Sequence, residues 1–580
     1  MILVTTALHE TVPKNTDEKV LLLGEWCKEY GNPAWNILDT ETLDYHWNDR
    51  KALFEGANYT NDIYEKYLKI LSRQLNKLHG EQRSVNYWRI VIGPWLIRFI
   101  QMVYDKYISI EKAFSENDIN KTYVLNIKES ELVPENMSDF NQLNANDYWN
   151  HFIYSRLIDN TKCDVICISH DNKVLHAKSS GNWIKCLVRR FSMALNKSNK
   201  IVFYDSCFNR GSCGRLQILL GQFPAFDYFI DPNPVSKYSK EKRSRLNFAI
   251  ENPSPFEVSL QSLIKIQMPM SYVESYSALR EISLRKYASN PKVIVTALAP
   301  SSFDGFKVWA ACKMEGGAKL AYIQHGGYGS CLFDPQERHE TIIADKFYSW
   351  GWHRAGFDNI QPMPSVKLIN TIKYDSSGDI LMPLMGARKY PSLLFSASLS
   401  SQFLGYINNQ EDFLNLLPNK IRGLIKLRVF SEEYGWRMKD RLIDHELGGL
   451  IDNDKQLNKG FIKRLSGCRL CITTYNGTTH LETFSSNFPT LLFWNKEHWE
   501  INQDAQPYFD QLYRIGVLHY DVISLANKVK EIYKDPMYWW QDDSIQRVIS
   551  GFCNKFAYTE KDALNMWVSE LQDLAKSASL

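Results

Sequence analysis

The stretch at residues 471–495 constrains the fold of this chain more than any other. Residues 470–472 form a short apolar run of the kind that is buried in a parallel sheet. Residues 476–479 then favour a turn and the start of a helix. After the helix, a turn through Pro489 leads into the apolar run at 490–493. This order of strand, turn, helix, turn and strand predicts one unit of a parallel α/β layer.

The turn before this helix has the chemistry of an anion site. Free backbone N–H groups and the positive end of the helix dipole favour an anion there by up to ~2 kcal/mol. Asn476 and Gly477 form the turn, and the hydroxyls of Thr478 and Thr479 add donors. Glu482 lies one helical turn beyond, where its carboxylate can reach a ribose whose phosphates rest on the turn. The alternative is that Thr479 is an N-cap and Glu482 a capping-box residue.

The spacing of Thr479, Glu482, Asn487 and Pro489 resembles the donor-nucleotide signature of GT-B glycosyltransferases. The resemblance implies an α/β, GT-B-like fold in which two Rossmann-like domains face a cleft. Many of these enzymes have alanine where Thr483 stands and glycine where Asn487 stands. Asparagine tolerates a left-handed turn nearly as well as glycine, so the predicted topology survives the second change.

Two series of β-type runs alternate with helical segments, as in parallel α/β sheets. The first series, after strands expected at 2–8 and 20–26, is at 164–169, 200–206, 292–300, 319–327 and 345–352. The second series begins with runs at 391–400 and 425–430. A proline-rich and polar stretch at 362–378 is typical of a linker between the two.

This pattern predicts two domains. Residues 1–375 are expected to form an acceptor-side Rossmann-like domain with a helical insertion at about 50–150. Residues 376–580 are expected to form a donor-binding Rossmann-like domain that ends in helices. Within the insertion, we expect the second helical block to be interrupted at Gly93 and Pro94.

The candidate catalytic residues lie in the first domain. His325 precedes Gly326 and Gly327 at the end of a predicted strand, where open α/β sheets bind ligands. It can hydrogen-bond a phosphate or carboxylate or act as an acid or base, or it can simply cap a glycine turn. Inverting sugar transfer requires a carboxylate base, for which Asp304 and Asp49 are candidates, whereas retaining transfer does not. Asp304 is equally suited to cap the helix that follows it.

Cations and hydroxyls in the second domain add candidate donor-binding residues. Lys426 and Arg428 alternate onto one face of a predicted strand, and two buried cations there require an anion. A donor phosphate or diphosphate is the preferred partner, and the acidic pair at 432–433 is the alternative. Ser396 and Ser398, in a serine-rich turn, are further donor-binding candidates.

Composition and absent motifs exclude several classes of protein. The net charge of +3 does not indicate a nucleic-acid binder, although an aromatic-rich surface allows peripheral contact with the inner membrane. The longest apolar stretch, 90–100, is too short to span a bilayer, and the first residues do not form a signal peptide, so we expect a cytoplasmic protein. No G-x-G-x-x-G motif or P-loop occurs, which argues against dinucleotide oxidoreductases and P-loop kinases. The D-x-D of Asp452 and Asp454 is interpreted as a solvated turn, and no metal site is expected.

Nearly the whole chain is similar to a family of transferases encoded in bacterial O-antigen and capsule gene clusters. The matching stretches are ILVTTAL, LLLGEWC, YHWNDR, YWRIVIGPWL, YIQHGGYG, FYSWGW and TTYNGTTHLETFSSNFPTLLFWN. The resemblance implies assembly of a surface polysaccharide such as lipopolysaccharide. The H-G-G loop, the K-x-R strand and the paired threonines also resemble transferases of ulosonic and nonulosonic acids, whose donors are CMP-activated.

The resulting hypothesis is a metal-independent glycosyltransferase that needs no cofactor besides its nucleotide-sugar donor. Its acceptor is expected to be a glycan or lipid-linked oligosaccharide. The alternatives are a UDP- or GDP-sugar transferase, a nucleotide-sugar epimerase or hydrolase, and a non-catalytic polysaccharide-assembly factor.

Overall fold

The computed structural model describes residues 1–14, 16–159, 161–170, 183–225, 227 and 229–578. Its strands form three five-stranded sheets, in which every described pairing between named strands is parallel, with helices around them. The α/β class predicted from the sequence is therefore confirmed. The number of sheets differs from the prediction, which had two.

The first sheet is built from the first 170 residues and has the strand order β3-β2-β1-β4-β5. Its strands are β1 (Ile2–Val4), β2 (Val20–Leu22), β3 (Thr40–Thr42), β4 (Lys121–Asn126) and β5 (Asp164–Ser169). The helices of this part are α1 (Arg50–His79), α2 (Val85–Glu116), α3 (Met137–Leu143) and α4 (Asp147–Ile158). The region at about 50–150, which was expected to be a helical insertion, also contributes strand β4 to this first sheet.

Helix α2 runs through Pro94 without ending, in contrast to the predicted interruption. Proline removes one helical hydrogen bond and crowds the preceding turn. The surrounding side chains, including Trp88 and Trp95, are fully buried, and this packing outweighs the local cost. No helix in the described part of the chain is both long enough and apolar enough to cross a bilayer.

The second sheet has the order β10-β9-β8-β7-β6 and agrees with the predicted runs. Its strands are β6 (Ile201–Phe203), β7 (Val293–Thr296), β8 (Lys319–Ile323), β9 (Lys346–Ser349) and β10 (Ile360–Pro362). The helices of this part are α5 (Trp183–Asn196), α6 (Arg210–Leu219), α7 (Lys240–Ser244), α8 (Pro255–Gln267), α9 (Met270–Val273), α10 (Tyr276–Lys286), α11 (Asp304–Glu315) and α12 (Pro335–Ile343).

The third sheet has the order β12-β11-β13-β14-β15. Its strands are β11 (Asp379–Pro383), β12 (Ile425–Arg428), β13 (Cys468–Thr473), β14 (Thr490–Phe493) and β15 (Leu518–His519). The helices of this part are α13 (Gln402–Asn415), α14 (Asn419–Arg422), α15 (Met438–Asp444), α16 (Asp454–Leu457), α17 (Phe461–Leu465), α18 (Thr478–Ser485), α19 (Gln506–Arg514), α20 (Val522–Ile532), α21 (Pro536–Trp540), α22 (Asp543–Phe556) and α23 (Ala563–Ser577).

Two details of the third sheet test the sequence prediction. The unit β13, α18 and β14 is confirmed, with Leu481 and Phe484 buried under the helix. The strand predicted at 391–400 is wrong, because this segment is a loop and the first strand of the sheet is β11 instead. Helix α23 returns to the second sheet, where Trp567 Nε1 donates to the Pro364 carbonyl at 2.9 Å.

Candidate functional site

The loop after β8 and the turn before α18 touch each other. A Cβ atom added to Gly327 would lie 2.8 Å from the carbonyl carbon of Gly477. One added to Gly326 would lie 3.5 Å from Thr478 Oγ1. Both segments follow the carboxyl end of a parallel strand, which is the edge where α/β sheets bind ligands. The structure thus brings together two of the segments that the sequence singled out.

A cavity of about 390 Å³ opens at the carboxyl ends of β11, β12 and β13. The strand order of the third sheet reverses between β11 and β13, which makes this position its topological switch point. We call this space the Glu482 cavity. Its polar wall comprises Arg428, Lys439, Tyr475, Thr479 and Glu482. Three of these residues were predicted to bind the donor, whereas Lys439 and Tyr475 were not.

Within the described part of the chain, Glu482 is a polar group of this cavity without a hydrogen-bond donor. Its side chain is partly buried, and among the described residues none donates a hydrogen bond to its carboxylate. Burial raises the pKa of Glu482, while the charge of Lys367 acts in the opposite direction. A buried, unpaired carboxylate in a cavity is characteristic of functional sites.

The capping-box alternative for Glu482 does not hold. The N-cap of α18 is Gly477 rather than Thr479, and no side chain caps the first N–H groups of the helix. The Thr479 hydroxyl instead lies 2.6 Å from the Tyr475 hydroxyl.

The predicted cations on β12 separate in the structure. Arg428, at the carboxyl end of the strand, lines the cavity and donates to the carbonyls of Gln456 and Lys459 at 3.1 and 2.7 Å. Burial lowers the pKa of Arg428, and the charge of Asp452 opposes this shift. Lys426 lies two residues further from the strand end and does not line the cavity. Lys439 on α15 supplies the second cation instead.

Asp452 of the D-x-D is buried, which contradicts its interpretation as part of a solvated turn. Asp452 is held in an ion pair by Arg464, with Nε 2.7 Å from the carboxylate. No group of three or more potential metal ligands occurs among the residues that the structure describes.

His325 is paired with a carboxylate that the sequence analysis missed. Its Nε2 lies 3.2 Å from Glu340 Oε1 and 3.0 Å from the Tyr328 hydroxyl. The Glu340 side chain is 2% exposed, so this carboxylate can fix the orientation of the imidazole ring. Lys367 Nζ donates to the His325 carbonyl at 3.0 Å and also influences Glu482, which links the histidine to the Glu482 cavity.

Asp205 is a second residue that the sequence analysis missed. It follows β6 and has a φ of 51°, a strained value for a residue other than glycine and one that recurs at functional sites. Burial raises the pKa of Asp205 to about 6, the charge of Asp227 adds to this shift, and His325 opposes it. The carboxylate has no hydrogen-bond partner within the described ranges. Its position near the end of the run predicted as a strand at 200–206 was the available sequence signal.

The two predicted bases lie elsewhere. Asp304 is buried, forms an ion pair with Lys307 at 2.7 Å and accepts hydrogen bonds from Ser271 and Tyr272 at 2.5 and 2.8 Å. These contacts make it part of a structural network. Asp49 is exposed and caps α1 by accepting from the backbone N–H groups at positions 51 and 52. Neither carboxylate lines the Glu482 cavity.

The remaining donor-binding candidates do not line the Glu482 cavity. Ser396 is buried, and its Oγ accepts from the Phe333 N–H at 3.4 Å. Asn476 donates to Ser330 Oγ at 3.2 Å across the contact with the loop after β8. Ser398 lines a different and larger cavity.

This larger space, the Arg388 cavity, has a volume of about 460 Å³. It lies between α2, the loop after β7, the start of α12 and the loop at 385–400. A third cavity of about 290 Å³ joins the other two: it shares Gly386 with the Arg388 cavity and Phe430 with the Glu482 cavity. The three spaces are therefore neighbours around the ends of β11 and β12.

Comparison with known proteins assigns the chain to a family. Residues 1–571 match the LIC12162 family of transferases, and the chain belongs to this family. No curated protein matches the chain. The Rossmann-like sheets and the cavity at a strand-end switch point are compatible with a transferase that uses a nucleotide-linked donor.

Proposed function

We propose that this transferase is a glycosyltransferase whose nucleotide-sugar donor binds in the Glu482 cavity. The observation that carries the proposal is the unpaired carboxylate of Glu482 in a cavity that two cations, Arg428 and Lys439, also line. The donor ribose is placed on Glu482, and the phosphates point towards the start of α18. A CMP-linked ulosonic or nonulosonic acid is the proposed donor, on the strength of the resemblance in sequence.

The cleft residues have complementary roles in this reaction. Arg428, Lys439 and the first N–H groups of α18 offset the negative charge of the departing nucleotide. The donor sugar extends towards the loop of His325, whose imidazole is oriented by Glu340. These groups supply the electrostatic stabilisation that a metal ion provides in other transferases.

Asp205 is our candidate for the base of an inverting reaction. The acceptor hydroxyl oxygen bonds to the anomeric carbon, the bond from that carbon to the donor phosphate breaks, and the hydroxyl proton passes to Asp205. A carboxylate with a pKa of about 6 is ionised near neutral pH and still basic enough to accept this proton. The motifs shared with O-antigen and capsule transferases support a glycan or lipid-linked oligosaccharide as acceptor, reached at the inner face of the membrane.

Thermal stabilisation by nucleotides tests the donor site. The purified protein is melted with CMP, UDP, GDP and ADP, alongside Glu482→Gln and the exposed control Glu251→Gln. A ligand at 100 times its Kd adds about 2.7 kcal/mol of stability. We expect stabilisation by CMP that Glu482→Gln loses and Glu251→Gln keeps.

Other outcomes of this experiment lead to other functions. Stabilisation by UDP or GDP instead of CMP supports the donor site and assigns it a different nucleotide sugar. Consumption of nucleotide sugar without any acceptor identifies a hydrolase or epimerase. If no nucleotide shifts the melting curve of the wild-type protein, the proposal fails in favour of a non-catalytic assembly factor.

A further inference from the structure

The Arg388 cavity contains two arginines whose charges are not neutralised. Arg98 donates to the Pro94 carbonyl at 3.2 Å and to Gln336 Oε1 at 3.0 Å. Arg388 donates to Asn144 Oδ1, and its guanidinium lies 5.6 Å from the centre of the Tyr434 ring. All of these partners are neutral. Among the residues that the structure describes, no carboxylate lies within 4.0 Å of either guanidinium.

This arrangement is unfavourable in an empty cavity. Burial lowers the pKa of Arg98; the charge of Glu340 opposes this shift, and the like charge of Arg388 adds to it. Partly buried cations are stable when they pair with an anion or an acidic side chain. The planar guanidinium matches the geometry of a carboxylate or phosphate, to which it can donate two parallel hydrogen bonds.

The rest of the wall suits a sugar. Tyr434 and Trp499 supply aromatic rings, and Ser302 and Ser398 supply hydroxyl groups. Carbohydrates pack their apolar faces on such rings and hydrogen-bond to such polar groups. The volume of about 460 Å³ lies in the usual range of small-molecule sites. The cavity is therefore built for a polar ligand that is also anionic.

A chain of hydrogen bonds connects this cavity to the candidate catalytic histidine. Gln336 accepts from Arg98 and donates to Glu340 Oε1 at 2.9 Å, and Glu340 lies 3.2 Å from His325 Nε2. The joining cavity beside Phe430 leads on to the Glu482 cavity. A ligand at the two arginines thus lies in a space that neighbours the proposed donor site.

We propose that the Arg388 cavity binds the acceptor through an acidic group, a sugar carboxylate or a sugar phosphate, held between Arg98 and Arg388. The inference rests on the proposed glycosyl transfer and adds to it the chemical class of the acceptor. It also gives Ser398 an acceptor-side position in place of the donor-side one expected from the sequence.

Binding of simple sugars tests this assignment directly. Glucose, glucuronate and glucose 6-phosphate are titrated into the wild-type protein and followed by ligand-observed NMR. We expect binding of at least one charged sugar and none of glucose at the same concentration. Binding of glucuronate alone identifies a carboxylate ligand, and binding of glucose 6-phosphate alone identifies a phosphate ligand.

Two matched variants separate charge from geometry. Arg388→Gln is expected to weaken binding of the charged sugar by about tenfold or more, because a charge-assisted pair is lost. Arg388→Lys keeps the charge but not the planar fork, so we expect an intermediate loss. The melting temperature of each free variant verifies folding, and Arg98→Lys provides the same comparison at the other arginine.

Nucleotide binding distinguishes failure of this inference from failure of the proposed function. Arg388→Gln should keep the nucleotide-dependent stabilisation that Glu482→Gln loses. If charged sugars bind no better than glucose, or bind Arg388→Gln equally well, the acceptor assignment is overturned while the donor site stands. If Arg388→Gln abolishes nucleotide binding, the Arg388 cavity holds donor phosphates and the acceptor assignment is also overturned.

Discussion

Replacing Gly327 with alanine is expected to push the loop after β8 away from the turn before α18. The added Cβ would lie 2.8 Å from the carbonyl carbon and 2.9 Å from the Cα of Gly477. Ordinary van der Waals contact begins at 3.4 Å, so the two backbones must separate by about 0.6 Å. Overpacking of this kind costs ~1–3 kcal/mol, and the obstructing atoms are backbone rather than a flexible side chain.

Gly326→Ala is the matched control. Its Cβ would lie 3.5 Å from Thr478 Oγ1, an ordinary contact, and neither glycine has a positive φ that alanine would resist. The two variants therefore differ in the contact with Gly477 and hardly in backbone strain or composition.

The assay compares melting temperatures and nucleotide affinity for the wild-type protein and both variants. We expect Gly327→Ala to melt at a lower temperature and to bind nucleotide about tenfold more weakly, because the first turn of α18 moves. Gly326→Ala should resemble the wild-type protein in both measurements. Equal behaviour of the two variants would refute the close contact between the loop and the turn.

Four further substitutions test the roles of carboxylates. Burial raises the pKa of Asp205 from 3.8 to about 6. The favourable contribution of this group to the stability of the folded state is therefore present below pH 3.8 and is lost as the pH rises through 6. Asp205→Asn should therefore raise the melting temperature at pH 8 but not at pH 4 while abolishing transfer; a gain confined to acid pH would contradict this. Asp304→Asn leaves Lys307 buried without its ion pair and should cost ~3–5 kcal/mol of stability. Asp49→Asn still caps its helix and should change the stability little. Equal melting temperatures of the two variants would contradict the structural role of Asp304. Glu340→Gln should lower kcat without weakening nucleotide binding, because it removes the carboxylate beside the candidate catalytic histidine; an unchanged kcat would exclude that role.

Local patterns were sufficient to predict the unit around α18. The buried run of β13, the turn residues and the helix that follows are all encoded within about 25 residues, and the structure confirms them. The second sheet was predicted equally well, because its strands are apolar runs separated by helical segments.

The first sheet was predicted only in part: strands were expected at the positions of β1, β2 and β5, whereas β3 and β4 were missed because their local signal is weak. Strands β1, β2 and β3 have three residues each, and β3 is a polar edge strand with the sequence Thr-Glu-Thr. Strand β4 lies between helical segments and joins β1 through pairings across more than one hundred residues. Periodicity within a short window does not report such distant pairing.

Residues of the candidate site were predicted where local motifs and the sheet topology place them together. They were missed where only the tertiary fold brings them together. Arg428, Thr479 and Glu482 follow strands of one sheet, so their convergence was inferred correctly from the topology. Glu340 contacts His325 and Asp205 interacts with it through charge, each from a different element and at a sequence distance that no motif spans. The structural role of Asp304 could not be predicted either, because its ion pair depends on tertiary packing.

A crystal structure with a bound nucleotide tests the central claim most directly. Crystals are soaked in CMP, or in whichever nucleotide stabilises the protein best. The account predicts density in the Glu482 cavity, with the ribose hydroxyls on Glu482 and the phosphate between Arg428 and the first turn of α18. Density for the nucleotide in the Arg388 cavity, with the Glu482 cavity empty, would contradict the account.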